Sequence, residues 1–453
     1  MRKQLRQARI NRGWTLEQAA ESIDVHPNTL SLWERGDQAI SDKFQNRLCK
    51  IYGITIEDLK DESEKQILIP SSFDMYVQSN LTMYLISLAL APYQSYKDLQ
   101  KSISLALKEH MHAPATLREA LRNLVLLALT SSNSRLSNDI LLNVCAAGII
   151  ACGYVSNSEW DASWFYDDMS LVLAGVESYE AVLQPLIKQA HYRRHATSLL
   201  SLGLQIKSRA SSNLLGMKQA IVDSERAVEY ARESHNRTMI VMAARALTAD
   251  LEDGITEQPG RREKALQLAE EALDLIEHGS GSPVPDFIVS WLFTGLAKYQ
   301  ALHNREQDML TALSKADETF PVSAIKATPS QVSYSYAHLL RHRAITYAYF
   351  GKQDEAYKIF QNLIDDSFQS LVSMPTRMRI GTLSEYLFTT LYLPTHLKDK
   401  ERSIALWKVA WQETSELRSE SYFDEARLTY QIMRGIWSDD ASVLDLRDLL
   451  VHW

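Results

Sequence analysis

Between residues 2 and 60, apolar side chains recur at three- and four-residue intervals in five short runs, the period of an amphipathic helix. The first run, Arg2 to Asn11, turns Leu5, Ala8 and Ile10 inward, and Gly13 supplies its C-cap. Thr15 begins the second, with Glu17 and Gln18 where a first turn favours acidic and amide side chains. Leu16, Ala19, Ala20 and Ile23 form its inner face, and the two alanines admit a crossing helix. Asp24, Val25 and His26 read as a tight turn, Pro27 is acceptable in a helix's first turn, and the third helix is expected from Asn28 to Arg35, stopping at Gly36. Val25, Leu30 and Trp33 then point inward, which turns His26, Asn28, Thr29, Ser31 and Leu32 outward to differing degrees. Phe44, Leu48 and Ile51 line a fourth helix, Ser41 to Tyr52, and Thr55 caps a short closing one with Ile56 and Leu59.

Charge, Pro70 and paired serines break this pattern, so residues 61–75 are expected to be a linker. Beyond them the helical period continues almost to the end, with no hairpin signals and no long strand runs. The expected fold class is therefore all-α: a five-helix domain over 1–60, helices of no evident repeat over 76–194, and helical repeats over 195–453. One repeat unit is sharp. From Leu340 to Leu363 a first helix offers Ala344, Tyr347 and Ala348, Gly351 and Lys352 turn the chain, and a second helix offers Ala356, Ile359, Phe360 and Leu363. Those separations resemble a tetratricopeptide repeat (TPR). Looser versions occur around Ala220, Ala227 and Ala231, around Ala265, Ala269 and Ala272, from Trp291, Gly295 and Tyr299 to Ala312, Ala316 and Pro321, and around Ala405, Trp407, Ala410 and Ala426. The resemblance implies a TPR-like α-solenoid, whose concave groove suits a peptide or a partner's helix.

Charge sharpens the division. Residues 1–60 carry a net +2 and the remainder a net −10, and the first twelve residues hold Arg2, Lys3, Arg6, Arg9 and Arg12 with no acid. A basic end on an acidic body fits a polyanion contact made by one small module. Cys49, Cys145 and Cys152 lie in apolar surroundings without a C-x-x-C pair, as buried thiols of a reducing compartment do. The amino-terminal residues lack the apolar core of a secretory signal, and the apolar stretch Ile140 to Val155 contains Asn143 and is short for a bilayer crossing. A cytoplasmic protein with no membrane contact is expected.

The small module carries the most specific resemblance. Leu5, Arg9, Gly13-Trp14-Thr15-Leu16-Glu17-Gln18-Ala19-Ala20, then Val25 through Gly36, then Tyr52-Gly53-Ile54-Thr55-Ile56-Glu57-Asp58-Leu59, together resemble the Cro/repressor-type (XRE) helix-turn-helix family. The resemblance implies that the third helix enters the major groove of double-stranded DNA, with His26, Asn28, Thr29 and Ser31 at base-contacting positions. It also implies backbone contacts from Arg9, Arg12, Thr15, Arg35 and Lys43, which set register without reading sequence. Glu34 and Arg35 are alternatively placed for an ion pair with the first helix. Where the family often has a glutamine at the start of its second helix, this chain has Thr15 and Leu16.

Such a module ahead of a repeat body resembles the peptide-responsive RRNPP regulators. That resemblance implies a peptide in the repeat groove, a homodimer, and control of DNA affinity through dimer geometry. Asn236, Tyr336 and Arg341 are the candidate peptide contacts by helical context alone. A body that only dimerises or binds a partner protein, or a signalling scaffold whose DNA module is vestigial, stands as the alternative. No phosphate-binding glycine loop or nucleophile elbow is present, so no enzyme and no cofactor are expected. His191 and His195 share a helix face, but Tyr192 stands where a zinc protease needs glutamate; His110 and His112 diverge on a helix. No metal site is expected. Asp167-Asp168 and Asp365-Asp366 read as helix-terminal or solvated charges.

Overall fold

The computed structural model describes residues 5, 8–9, 14–35, 40, 42–52, 81–90, 96–109, 114–131, 137–157, 165–252, 260–320, 336–364, 376–394, 398–417 and 419–451. Among them every regular element is a helix and no strand occurs, so the fold is all-α. The chain divides into two compact units, Met1–Ser79 and Asn80–Trp453. The linker read at 61–75 and the closing helix at Thr55 fall outside the described residues, as do Arg12, His110, His112, Pro321, Asp365 and Asp366.

In the small unit Leu5, Ala8 and Arg9 are helical. Three helices follow, α1 (Leu16–Ile23), α2 (Pro27–Arg35) and α3 (Asp42–Tyr52). Thr15 caps α1 with a reciprocal pair: its Oγ1 accepts from the Gln18 backbone at 3.3 Å, and its own N–H donates to Gln18 Oε1 at 3.0 Å. Asp24 ends α1 in the left-handed region, φ 60°, and the Val25 N–H then reaches back to the Ala20 carbonyl. Leu5, Ala19, Ala20, Ile23, Leu30, Trp33, Ile40, Leu48 and Tyr52 make the core, with Phe44 tilted against Trp33 and Trp14 against Tyr52.

The large unit begins with α4 (Leu81–Leu90), α5 (Tyr96–Glu109), α6 (Pro114–Ser131), α7 (Asn138–Asn157) and α8 (Phe165–Ile187). The apolar α7 is the central helix here, packed against α4, α5, α6, α8 and α9 (Ala190–Leu214). Of its bilayer-length apolar window 83 % is buried within the protein. Cys145 and Cys152 are buried along it, and desolvation pushes both thiols far up. Asp168 lies in the first turn of α8, as the helix-terminal alternative had it. It is buried rather than solvated, and both its oxygens take the Arg118 guanidinium, at 2.5 and 3.0 Å.

Helical hairpins continue through α10 (Met217–Ser234), α11 (Arg237–Glu252), α12 (Arg261–His278), α13 (Asp286–Leu302), α14 (Glu306–Glu318), α15 (Tyr336–Phe350) and α16 (Gln353–Leu363). The chain ends with α17 (Thr376–Tyr392), α18 (Lys400–Leu417), α19 (Glu420–Ile436), α20 (Ala441–Leu444) and α21 (Leu446–Val451). From α9 to α15, members of each hairpin touch, and the odd-numbered helices also pack on one another in succession. The sharpest expected unit is the hairpin α15–α16: Ala344, Ala356 and Phe360 are fully buried, and Gly351 turns the chain at φ 91°. The array does not stay open. Its late helix α19 packs on α9, and just before it Ser419 donates to Asn213 of α9 at 2.9 Å.

Close approach governs this packing. A Cβ on Gly148 of α7 would lie 2.0 Å from the Tyr179 phenol oxygen of α8. Gly148→Ala is therefore expected to destabilise the large unit by about 1–3 kcal/mol through overpacking. Gly435→Ala, with nothing within 4 Å, should leave its stability nearly unchanged. Urea unfolding of both variants checks the contrast.

Candidate nucleic-acid interface

The candidate surface is built from α1, the turn after it, and α2. His26 stands just before α2 and caps it, its Nδ1 accepting from the Asn28 backbone at 3.3 Å and its carbonyl from Thr29 and Leu30. His26 and Asn28 are exposed, and Thr29, Ser31 and Leu32 are half-buried. Leu30 and Trp33, at 0 % and 3 % exposure, anchor the opposite face. The four side chains assigned to base contact thus lie in the cap and first turns of one helix, clear of the core. Thr15 is exposed at the amino-terminus of α1. Its hydroxyl serves as the cap, so an approaching phosphate meets a helix end whose dipole favours negative charge. Hydrogen bonds from the Glu17 backbone N–H and the Thr15 side chain, with the Arg9 charge nearby, hold the exposed Glu17 carboxyl below its usual range.

Arg9 has a different place from the one expected. Its Nε and Nη2 grip both oxygens of Glu34 at 2.6 and 3.0 Å, and its Nη1 donates to the Trp14 carbonyl at 3.1 Å. The guanidinium is mostly enclosed, and its bonds to Glu34 hold its pKa above the usual value. A side chain fixed in this way joins the first helix to α2. The alternative of an ion pair between Glu34 and the first helix is the one realised; its partner lies 25 residues away, a separation no local pattern reveals. Arg35 closes α2 and Lys43 sits in the first turn of α3, but their side chains lie outside the described ones. Arg47 of α3, not assigned from sequence, is half-buried and lies 3.9 Å from Asp24, beside the turn that leads into α2.

The three candidate peptide contacts serve as follows. Asn236 caps α11, its Oδ1 accepting from the Met239 N–H at 3.3 Å. Tyr336 opens α15 exposed, with its ring 5.8 Å from that of Phe320. Arg341, on the same helix, is held by both oxygens of Glu385 of α17, at 2.6 and 2.8 Å. His191 and His195 are both exposed on α9. Among the described residues no cluster of three or more metal-ligating side chains occurs.

Residues 5–59 match the family model described as Helix-turn-helix. No curated protein matches the chain. The small unit is an XRE-type helix-turn-helix domain, and it makes the chain a DNA-binding transcriptional regulator that contacts double-stranded DNA.

Glu34→Ala is expected to strand the Arg9 charge inside the small unit and destabilise it by about 2–4 kcal/mol. Hydrogen exchange over residues 16–35 should accelerate, while α7 keeps its protection.

Proposed function

We propose that the chain is a sequence-specific transcriptional regulator whose helical body senses a small ligand, a peptide in the first instance, and controls the geometry of a homodimer on DNA. The observation that carries the reading is the arrangement of α2. His26, Asn28, Thr29 and Ser31 are presented from one cap and its first turns, and a part-buried Arg9–Glu34 pair ties that helix to the rest of its unit. Short polar side chains so placed hydrogen-bond base edges in the major groove. Regulation follows from dimer geometry, because two recognition helices must match half-sites about one helical turn apart. The protein acts in the cytoplasm, has no catalytic activity and requires no cofactor.

A body that dimerises or binds a partner protein without a ligand is the second reading. Leu105 of α5 and Leu126 and Leu129 of α6 favour it, being 59 %, 59 % and 40 % exposed. Large exposed apolar side chains of this kind suit a protein contact.

Fluorescence anisotropy with the DNA upstream of the coding region and with scrambled DNA tests the proposal. Native DNA is expected to bind more tightly, with affinity falling steeply as salt rises. Asn28→Ala combined with Thr29→Ala should lower the preference by about 1–3 kcal/mol per lost base contact while leaving nonspecific binding intact. An unchanged preference in that variant removes the recognition-helix assignment.

A further inference from the structure

In the large unit, side chains of several odd-numbered helices act on one another across its inner face. His338 and His342 of α15 lie one turn apart with their Nε2 atoms 2.8 Å from each other. Charged groups from four helices act on them: Arg209 of α9, Arg245 of α11, Lys298 of α13, and Arg341 of α15 itself. The carboxylates nearby are engaged elsewhere. Glu385 of α17 grips Arg341, and Glu425 and Tyr422 of α19 act on Arg341 too. Asp250 of α11 accepts from Ser208 and Ser224; burial raises its pKa, while the charges of Arg209 and Arg245 act to lower it. Asp317 of α14 pairs with Arg343.

Arg245 is the anomaly. It is 2 % exposed, yet among the described residues no carboxylate reaches ion-pair distance. Its Nε donates to the Trp291 carbonyl at 3.1 Å, its Nη1 makes a long contact of 3.5 Å to Thr248, and the guanidinium lies over the Trp291 ring. Buried charges are ordinarily paired. A second atom is unsatisfied within electrostatic reach of it: His342 Nδ1 is buried without a hydrogen-bond partner. Burial and the surrounding cations push both imidazoles well below their usual range, so the pair is neutral near pH 7. An anion finds the Arg245 guanidinium here and, once the pair takes up a proton, an imidazole N–H at His342 that can donate to it.

We propose that the inner face of α11, α13 and α15 is a pocket for the oxyanion of a small ligand, carboxylate or phosphate, held by Arg245 and the His338–His342 pair with uptake of a proton. This rests on the reading of the body as the ligand-sensing part, and it names the chemistry sensed. The bound anion supplies the charge Arg245 lacks and raises the affinity of the imidazole pair for a proton. By linkage, affinity is greatest at low pH. It falls by up to about tenfold per pH unit between the pKa of the free pair and its higher value in the complex.

Calorimetry on the full-length protein tests this. The probes are inorganic phosphate, an N-acetylated tripeptide with a free carboxylate, and the same tripeptide as its amide. Each is titrated at about pH 6 and about pH 8, in two buffers of different ionisation enthalpy that report the proton directly. Binding of phosphate, or of the carboxylate but not the amide, with proton uptake and tighter affinity at the lower pH, is the expected result; which probe binds tells the two anion sources apart. Arg245→Gln should weaken it at least tenfold, and Arg232→Gln, on an exposed pair with Glu271, should not. Should Arg245→Gln fail to fold, proton uptake by the unaltered protein still decides. Absence of binding by every probe, or binding with neither proton uptake nor pH dependence, overturns the pocket. Proton-linked binding that leaves DNA affinity unmoved keeps the pocket and removes the sensing reading. A peptide amide that shifts DNA affinity without a proton does the reverse.

Discussion

The described residues pack as helix on helix, and such packing holds only where backbones come close enough to exclude water between them. Small residues at the crossings meet that demand. Gly148, Gly175 and Gly203 sit where α7, α8 and α9 approach, and a Cβ on Gly203 would already lie 3.3 Å from Val176. Further along, Ala220, Ala227 and Ala231, then Ala265, Ala269 and Ala272, then Ala312 and Ala316, are all buried at hairpin contacts. Larger groups, such as Tyr299 and Phe360, fill the spaces above and below these crossings. The inner side chains of α9, α11, α13 and α15 are brought within electrostatic reach of one another because their helices pack this tightly.

The small unit solves a different problem with charge. Its core is modest, and α2 must present one face while being held firmly by the other. Arg9 does this with a bidentate grip on Glu34 and a further bond to the Trp14 carbonyl, so one side chain connects the first helix, the entry to α1, and α2. Trp33 and Leu30 add the apolar part of the same attachment.

Most of this was readable from local pattern. The boundaries of α1 to α3, their inner faces and the all-α class follow from three- and four-residue periodicity with Thr15, Pro27 and the glycines as punctuation. What escaped was the exact partner at a distance: the resemblance offered an ion pair of Glu34 with the first helix but did not name Arg9 as its other end. Nothing within a turn or two of Arg9 announces Glu34, and nothing near Asp168 announces Arg118. The same applies inside the large unit. His191–His195 and His338–His342 have identical spacing, yet the first pair is exposed and the second is enclosed among cations from four helices. Spacing places two rings on one face; only the packing of other helices decides what that face meets. Asn236, chosen for its helical context, turned out to be read by its own neighbours as a cap.

The contact of α19 with α9 changes the mechanics of the array. In an open stack each repeat rests on its neighbours, so stability accumulates along a line and melting begins at the free end. Joining a late helix to an early one removes that end over the span between them. The hairpins from α9 to α19 then stand as links of a loop, where loosening any one link relaxes the others from both sides. Such an object is expected to melt as a block, with the Ser419–Asn213 bond as the clasp that makes a chain of hairpins a single body.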